Sequence, residues 1–158
     1  MQHRELVRQV VRDPVHWPAF GFGLGLSPFA PGTFGSLLGI PLWWFTPPVL
    51  WVQLLVGAVV VIAGIGICGA SARRIGVHDH GGIVWDEIAG MYLTLLVVPR
   101  EFWWILASFL AFRLFDIVKP WPIRDLDHRL KGGLGIMLDD VIAALFAAVL
   151  LLLARFLF

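Results

Sequence analysis

Ile83-Val84-Trp85-Asp86-Glu87-Ile88-Ala89-Gly90-Met91-Tyr92-Leu93-Thr94-Leu95-Leu96-Val97-Val98 sets two adjacent carboxylates inside a run that is otherwise almost wholly apolar. On the insertion scale, one carboxylate at the centre of a membrane helix costs roughly 2.5–3.5 kcal/mol. Two together need a cation, a partner or nearby water to offset them. Whether this run lies in a bilayer or in a soluble core decides the fold, and the rest of the chain favours the bilayer. Of its 158 residues, 59% are hydrophobic and 15% charged, where soluble domains average about 25% charged. A net charge of +1 offers no electrostatic case for a nucleic-acid partner. The single cysteine, Cys68, lies in an apolar stretch and excludes an internal disulfide or a thiolate metal cluster.

A membrane helix needs about 20 apolar residues, or fewer where the bilayer thins or flanking side chains snorkel. Val49 to Ala70 is the strongest such span. Phe34 to Phe45 is short and stops at the breaker Thr46-Pro47-Pro48, while Ile83 to Val98 is short and carries the carboxylate pair. Phe102 to Val118 has Arg113 and Asp116 near its end, and Ile136 to Leu157 has Asp139 and Asp140 in its first turn. His16 to Leu26 is apolar and Gly-rich, which suits a half-helix or re-entrant segment covered by protein or a wet cavity. The expected architecture is all-α: a polytopic membrane helix bundle with about four transmembrane helices plus a short re-entrant or interfacial segment. It forms a single domain, residues 1–158.

No signal peptide is expected, because Met1 to Asp13 is polar and no cleavable apolar core follows it. Arg4, Arg8 and Arg12 with Leu6, Val7, Val10 and Val11 fit either a short amphipathic helix on an anionic membrane face or a frayed basic tail, and residues 1–15 read as an interfacial basic segment. Positive charge orients the spans. Arg73 and Arg74 fall in the segment Ser71 to Gly82, and Lys119, Arg124, Arg129 and Lys131 in Lys119 to Gly135; the opposite connections offer only Arg100. The basic side is cytoplasmic under the positive-inside rule. In this threading Asp86 and Glu87 lie one turn inside the cytoplasmic boundary, and Asp116, Asp139 and Asp140 gather in the same leaflet.

Consecutive helix residues point about 100° apart, so Asp86 and Glu87 cannot both aim at one point without a second helix nearby. An oxygen-rich cluster of this kind suits Mg²⁺, which takes one or two carboxylates plus phosphate oxygens; zinc would find nitrogen only at His78 and His80. A plainer reading makes Asp139–Asp140 a helix N-cap pair and Asp86 the partner of an arginine, but it explains one acid at a time. Arg113, Asp116 and Lys119 recur at i, i+3 and i+6 and share a helix face. The arginine fork and the ammonium suit phosphate, with Asp116 either binding metal or holding Arg113. In Ser27 to Ser36, small hydroxyls and glycines precede an apolar helix, so backbone amides with Thr33 or Ser36 can take an anion; Thr33 is equally a good N-cap.

Four blocks then carry a resemblance: GFGLGLSPFAPGTFGS (Gly21 to Ser36), GVHDHGGIVWDEIAGMY (Gly76 to Tyr92), FRLFDIVKPWPI (Phe112 to Ile123) and GGLGIMLDD (Gly132 to Asp140). Through them the chain, from about Trp17 onward, resembles the phosphatidylglycerophosphatase A family of bacterial membrane enzymes. Tyr92 stands where Trp is frequent and Ala144 where Gly is common, both packing changes. The resemblance implies Mg²⁺-dependent hydrolysis of phosphatidylglycerophosphate to phosphatidylglycerol and inorganic phosphate, part of phospholipid biosynthesis in the inner membrane, with the active site facing the cytoplasm. The expected catalytic set is His78, Asp79, Asp86, Glu87, Asp116 and Asp140. The expected metal ligands come from Asp79, Asp86, Glu87, Asp139 and Asp140, and the expected phosphate ligands are Thr33, Ser36, Arg113 and Lys119. In-line attack by water would pass its proton to His78 or a spare carboxylate. No Cys-x5-Arg phosphatase loop is expected, since Cys68 is misplaced for a thiol nucleophile. The competing class is a small cation or proton carrier, which would need ionisable groups reaching both faces. The expected partners are the bilayer and the phospholipid substrate; the oligomeric state stays open, a homo-oligomer included.

Overall fold

The structure is a computed structural model that describes residues 3–77, 80–124 and 130–157. The expectations for His78, Asp79 and Arg129 lie outside the described residues. Within them the protein is all-α: α1 (His3–Arg12), α2 (His16–Ala19), a 3-10 stretch (Gly21–Leu26), α3 (Pro31–Phe45), α4 (Leu50–Ile75), α5 (Trp85–Leu95), α6 (Phe102–Val118) and α7 (Gly133–Leu157).

Two helices, α4 and α7, are long and apolar enough to cross a membrane. At 1.5 Å per residue, their 26 and 25 residues reach roughly 38 Å, beyond the ~30 Å hydrocarbon core. With 15, 11 and 17 residues, α3, α5 and α6 reach only about 22, 16 and 25 Å. The outer surface is apolar: Leu50, Trp51, Leu54, Leu55 and Ile62 of α4, Phe102, Trp103, Leu110 and Ile117 of α6, and Leu145, Leu152, Leu153 and Phe156 of α7 are exposed. An exposed apolar surface of this extent is what a membrane or protein partner covers.

The shortest of the long helices occupies the centre. α5 packs against α3, α4, α6 and α7, and eight of its 11 residues are buried. Small residues bring its neighbours close, the usual device where lipid tails compete with side chains. A Cβ at Gly39 of α3 would lie 2.8 Å from both Ile88 O and Met91 Cβ, and one at Gly90 of α5 would meet the Phe112 ring. Several polar atoms at this depth find backbone partners. Trp85 Nε1 donates to Val60 O (3.0 Å) and Tyr92 Oη to Gln53 O (3.1 Å), while Ser36, Thr94 and Ser108 donate to carbonyls one turn back. At the end away from Asp86, Arg100 donates to Thr46 O and lies over the Trp43 ring, and Arg155 donates to Val97 O.

Several boundaries differ from the sequence expectation. α4 runs on to Ile75, so Arg73 and Arg74 sit in its last turn, complementing the helix dipole before left-handed Gly76 ends it. α7 starts at Gly133, not Ile136, which puts Asp139 and Asp140 in its second turn and removes the N-cap reading. Packing draws these glycines into the helix, since a side chain at Gly133 would strike Ile65 O and one at Gly135 Leu130 O. α3 starts at Pro31, whose fixed φ suits a first helical position, so Thr33 lies inside the helix and caps nothing. α5 is shorter than Ile83 to Val98 at both ends. His16 to Leu26 breaks into α2 and the 3-10 stretch, kinked at Phe22 and Gly23.

α1 is amphipathic as expected: Leu6 and Val10 are buried while Arg4, Arg8 and Arg12 are exposed. It is tied to the end of α4. The Arg74 guanidinium pairs with Asp13, Gln9 Nε2 donates to Arg74 O (2.9 Å), and buried His16 shares a hydrogen bond with Ser71 Oγ (2.8 Å).

Candidate functional site

Asp86 and Glu87 occupy the first turn of α5, where the helix dipole favours carboxylates. The second helix that their divergent directions require is α7. Asp140 reaches across, so that Asp86, Glu87 and Asp140 each place one ligand oxygen within 4.8 Å of the others. α6 supplies Arg113, whose Nη1 pairs with Asp116, stands 4.0 Å from Glu87 Oε1 and donates to Ser36 Oγ of α3 at 3.5 Å. Gly32 lets α3 come this close: a Cβ there would collide with Glu87 Oε1 and lie 3.1 Å from Arg113 Nη1.

Buried polar atoms ordinarily have hydrogen-bond partners. Here Glu87 Oε2, Asp140 Oδ2 and Arg113 Nε are buried and have none. The arrangement therefore presents acceptor oxygens and a guanidinium edge to a ligand. Asp86, Glu87, Asp116, Asp139 and Asp140 gather against Arg113 and Lys119, an excess of negative charge that a divalent cation would offset. The donor set is all oxygen, which fits a hard cation.

The remaining expected residues fall into place differently. Asp139 is turned aside: its Oδ2 pairs with Lys119 and its Oδ1 accepts the Asp140 N–H (3.1 Å), so it is outside the three converging carboxylates. Asp116 holds Arg113 and also lies outside the trio. Lys119 adopts the left-handed conformation (φ 44°) that ends α6, a position glycine usually takes. Ser36 donates to Gly32 O and reaches Arg113, whereas Thr33 is half-buried in the first turn of α3. Sequence reasoning missed Gly32, because a glycine between proline and threonine reads as a turn. Cys68 and Arg74 do carry a Cys-x5-Arg spacing, but both lie on unbroken α4, with Cys68 buried against Met137, so no anion-cradling loop forms.

Fold and site together define an all-α protein with two helices long and apolar enough to cross a membrane and a buried carboxylate–arginine centre at one end of its bundle. The family model for phosphatidylglycerophosphatase A matches residues 17–155. The chain belongs to the phosphatidylglycerophosphatase A family. A phosphatidylglycerophosphatase A of Escherichia coli (strain K12) is 43% identical over 151 residues, covering 93% of this chain and 88% of that protein. One of Haemophilus influenzae is 46% identical over 140 residues, 87% and 86% of the two chains. A Bacteroides thetaiotaomicron protein with a provisional name as a phosphatidylinositol-3-phosphatase is 40% identical over 144 residues, 85% and 89%. No solved structure matches the chain.

Proposed function

We propose that the protein is a Mg²⁺-dependent lipid phosphatase that hydrolyses phosphatidylglycerophosphate to phosphatidylglycerol and inorganic phosphate. The observation that carries this reading is the meeting of Asp86, Glu87 and Asp140 beside Arg113 in a member of this family. In the proposed topology α3, α4, α6 and α7 cross the bacterial inner membrane within one domain, 1–158. α5 is a buried half-span, and residues 16–26 form the interfacial or re-entrant piece. The starts of α3, α5 and α7 and the ends of α4 and α6 then share the cytoplasmic face, where a lipid phosphate stays in water.

Asp86, Glu87 and Asp140 would hold Mg²⁺, which when bound supplies Lewis-acid neutralisation of phosphoryl charge. Arg113, oriented by Asp116, offers its guanidinium edge to the phosphoryl oxygens. Asp86, Glu87 and Asp140 each present two oxygens, and one turned away from the metal would take a proton from the attacking water as the water O–P bond forms and the ester P–O bond breaks, then pass that proton to the departing alkoxide. Lys119 balances Asp139 at the rim. His78 as an alternative proton acceptor and Asp79 as a further metal ligand enter this proposal from the sequence alone. A carrier reading gains nothing here, because α5 beyond Glu87 and α7 beyond Asp140 contain no further acid toward the far face.

The test is phosphate release by purified protein in detergent from phosphatidylglycerophosphate, phosphatidic acid and a phosphatidylinositol phosphate, with Mg²⁺ or with chelator. Release from the first lipid, dependent on Mg²⁺, is expected. Asp86→Asn, Glu87→Gln and Asp140→Asn should each lose about 10²-fold or more in kcat with an unaltered melting profile. Release persisting in chelator would refute the metal dependence, and none from any lipid with Mg²⁺ present would refute the phosphatase.

A further inference from the structure

A cavity of about 310 Å³ opens between α1, the Gly-rich turn before α3 and the turn that enters α5. Its walls include Leu6, Leu26, Pro28, Pro31, His80 and Gly82. It adjoins the acidic centre, because the residue after Pro31 is Gly32, which touches Glu87. Its position on the chain's basic side puts it at headgroup level in the topology proposed above.

His80 gives the cavity a fixed polar group. Its Nδ1 accepts the Gly82 N–H at 3.0 Å, and its ring packs against Phe20 with centroids 5.9 Å apart. With Nδ1 committed as acceptor, the neutral ring carries its proton on Nε2, as a donor. The floor is backbone at close approach: a Cβ at Gly82 would lie 2.7 Å from Gly25 O, and one at Gly25 would strike the Gly82 carbonyl. The volume is at the lower end of ligand pockets, which run roughly 300–1,000 Å³. That is too small for acyl chains and suited to a short hydroxylated segment.

We propose that this cavity is the subsite for the hydroxylated linker joining the phosphomonoester to the rest of the lipid, with His80 Nε2–H donating to a linker oxygen. The assignment rests on the lipid-phosphatase reading and adds a specificity residue to it. His80 is here a binding group, apart from the residues that handle the phosphoryl group.

The experiment compares competitive inhibition by glycerol 3-phosphate, which carries the linker, with inhibition by inorganic phosphate, which does not. In His80→Ala the KM for phosphatidylglycerophosphate and the Ki of glycerol 3-phosphate should rise about five- to tenfold, the loss of one hydrogen bond. The Ki of phosphate and kcat should change less than about twofold. His80→Gln, which keeps an N–H donor, should recover most of the loss, and Leu6→Trp, which fills the cavity from α1, should reproduce the His80→Ala pattern. A phosphate Ki that rises in step with that of glycerol 3-phosphate, or an unchanged KM in both His80→Ala and Leu6→Trp, overturns the subsite while leaving the phosphatase standing. A wild-type protein that releases no phosphate from any lipid overturns the phosphatase reading and the subsite with it.

Discussion

At Gly32 the α3 backbone passes so near Glu87 Oε1 and Arg113 Nη1 that a methyl group would displace one or both. Both are ends of flexible side chains, so the fold can absorb the shift while the site cannot. Gly32→Ala is expected to lower kcat/KM at least about tenfold, since an ångström of misplacement can cost as much as 10²-fold. The melting temperature in detergent should stay within a few degrees of wild type. Full activity would show that the Glu87–Arg113 geometry is not the working one. Arg113 is the second sensitive residue. Arg113→Lys keeps the charge but loses the planar guanidinium, whose Nη1 meets Asp116, Ser36 and Glu87 while its Nε is left without a partner, so a KM increase larger than the kcat loss is expected from steady-state kinetics.

Among the elements, the tie of α1 to the end of α4 is sensitive to pH. The Arg74 guanidinium, with the Val15 N–H, holds the Asp13 carboxyl below its ordinary value of 3.8. Burial pushes His16 below its ordinary 6.5, partly opposed by Asp13. The signs run in the same direction. A freed arm takes up a proton at His16 more readily than the docked arm does, so docking weakens as pH falls below 6.5. Asp13 adds its share of the loss only below about 3.8. Hydrogen exchange of the α1 amides, corrected for intrinsic rate, should therefore quicken between pH 7.5 and 5.5, and His16→Asn should flatten the response. Exchange independent of pH in the wild type would show that the arm is not held through His16.

For the whole molecule, an up-and-down path with most of the acids and most of the bases at one end makes a topological prediction. Cys68 is buried and gives little background, so a cysteine at exposed Lys131 or exposed Glu101 reports its own side of the membrane. A membrane-impermeant maleimide should label Lys131→Cys only in inverted vesicles and Glu101→Cys only in intact cells; labelling of both from one side would refute the threading. Much of this was legible in the chain. Apolar runs set the helices because hydrophobic length is a local property, and the α6 bounds, Phe102 and Val118, agree with the sequence reading. Clustered acids and flanking bases marked the candidate end because charge in an apolar chain is costly enough to be conspicuous. Helix ends were less legible, since Gly133, Gly135 and Pro31 favour turns or breaks in isolation and join helices only where close packing accepts no side chain. The choice among the acids was not legible at all. Asp139 and Asp140 are neighbours of identical chemistry, and one residue of helical rotation turns the first toward Lys119 and the second toward Asp86 and Glu87. The sequence by itself determined that the protein is an apolar helical bundle with an acidic, phosphate-compatible end. The tertiary structure alone decided which three carboxylates meet, because that depends on the rotation of α5 and α7 against each other, which no local pattern encodes.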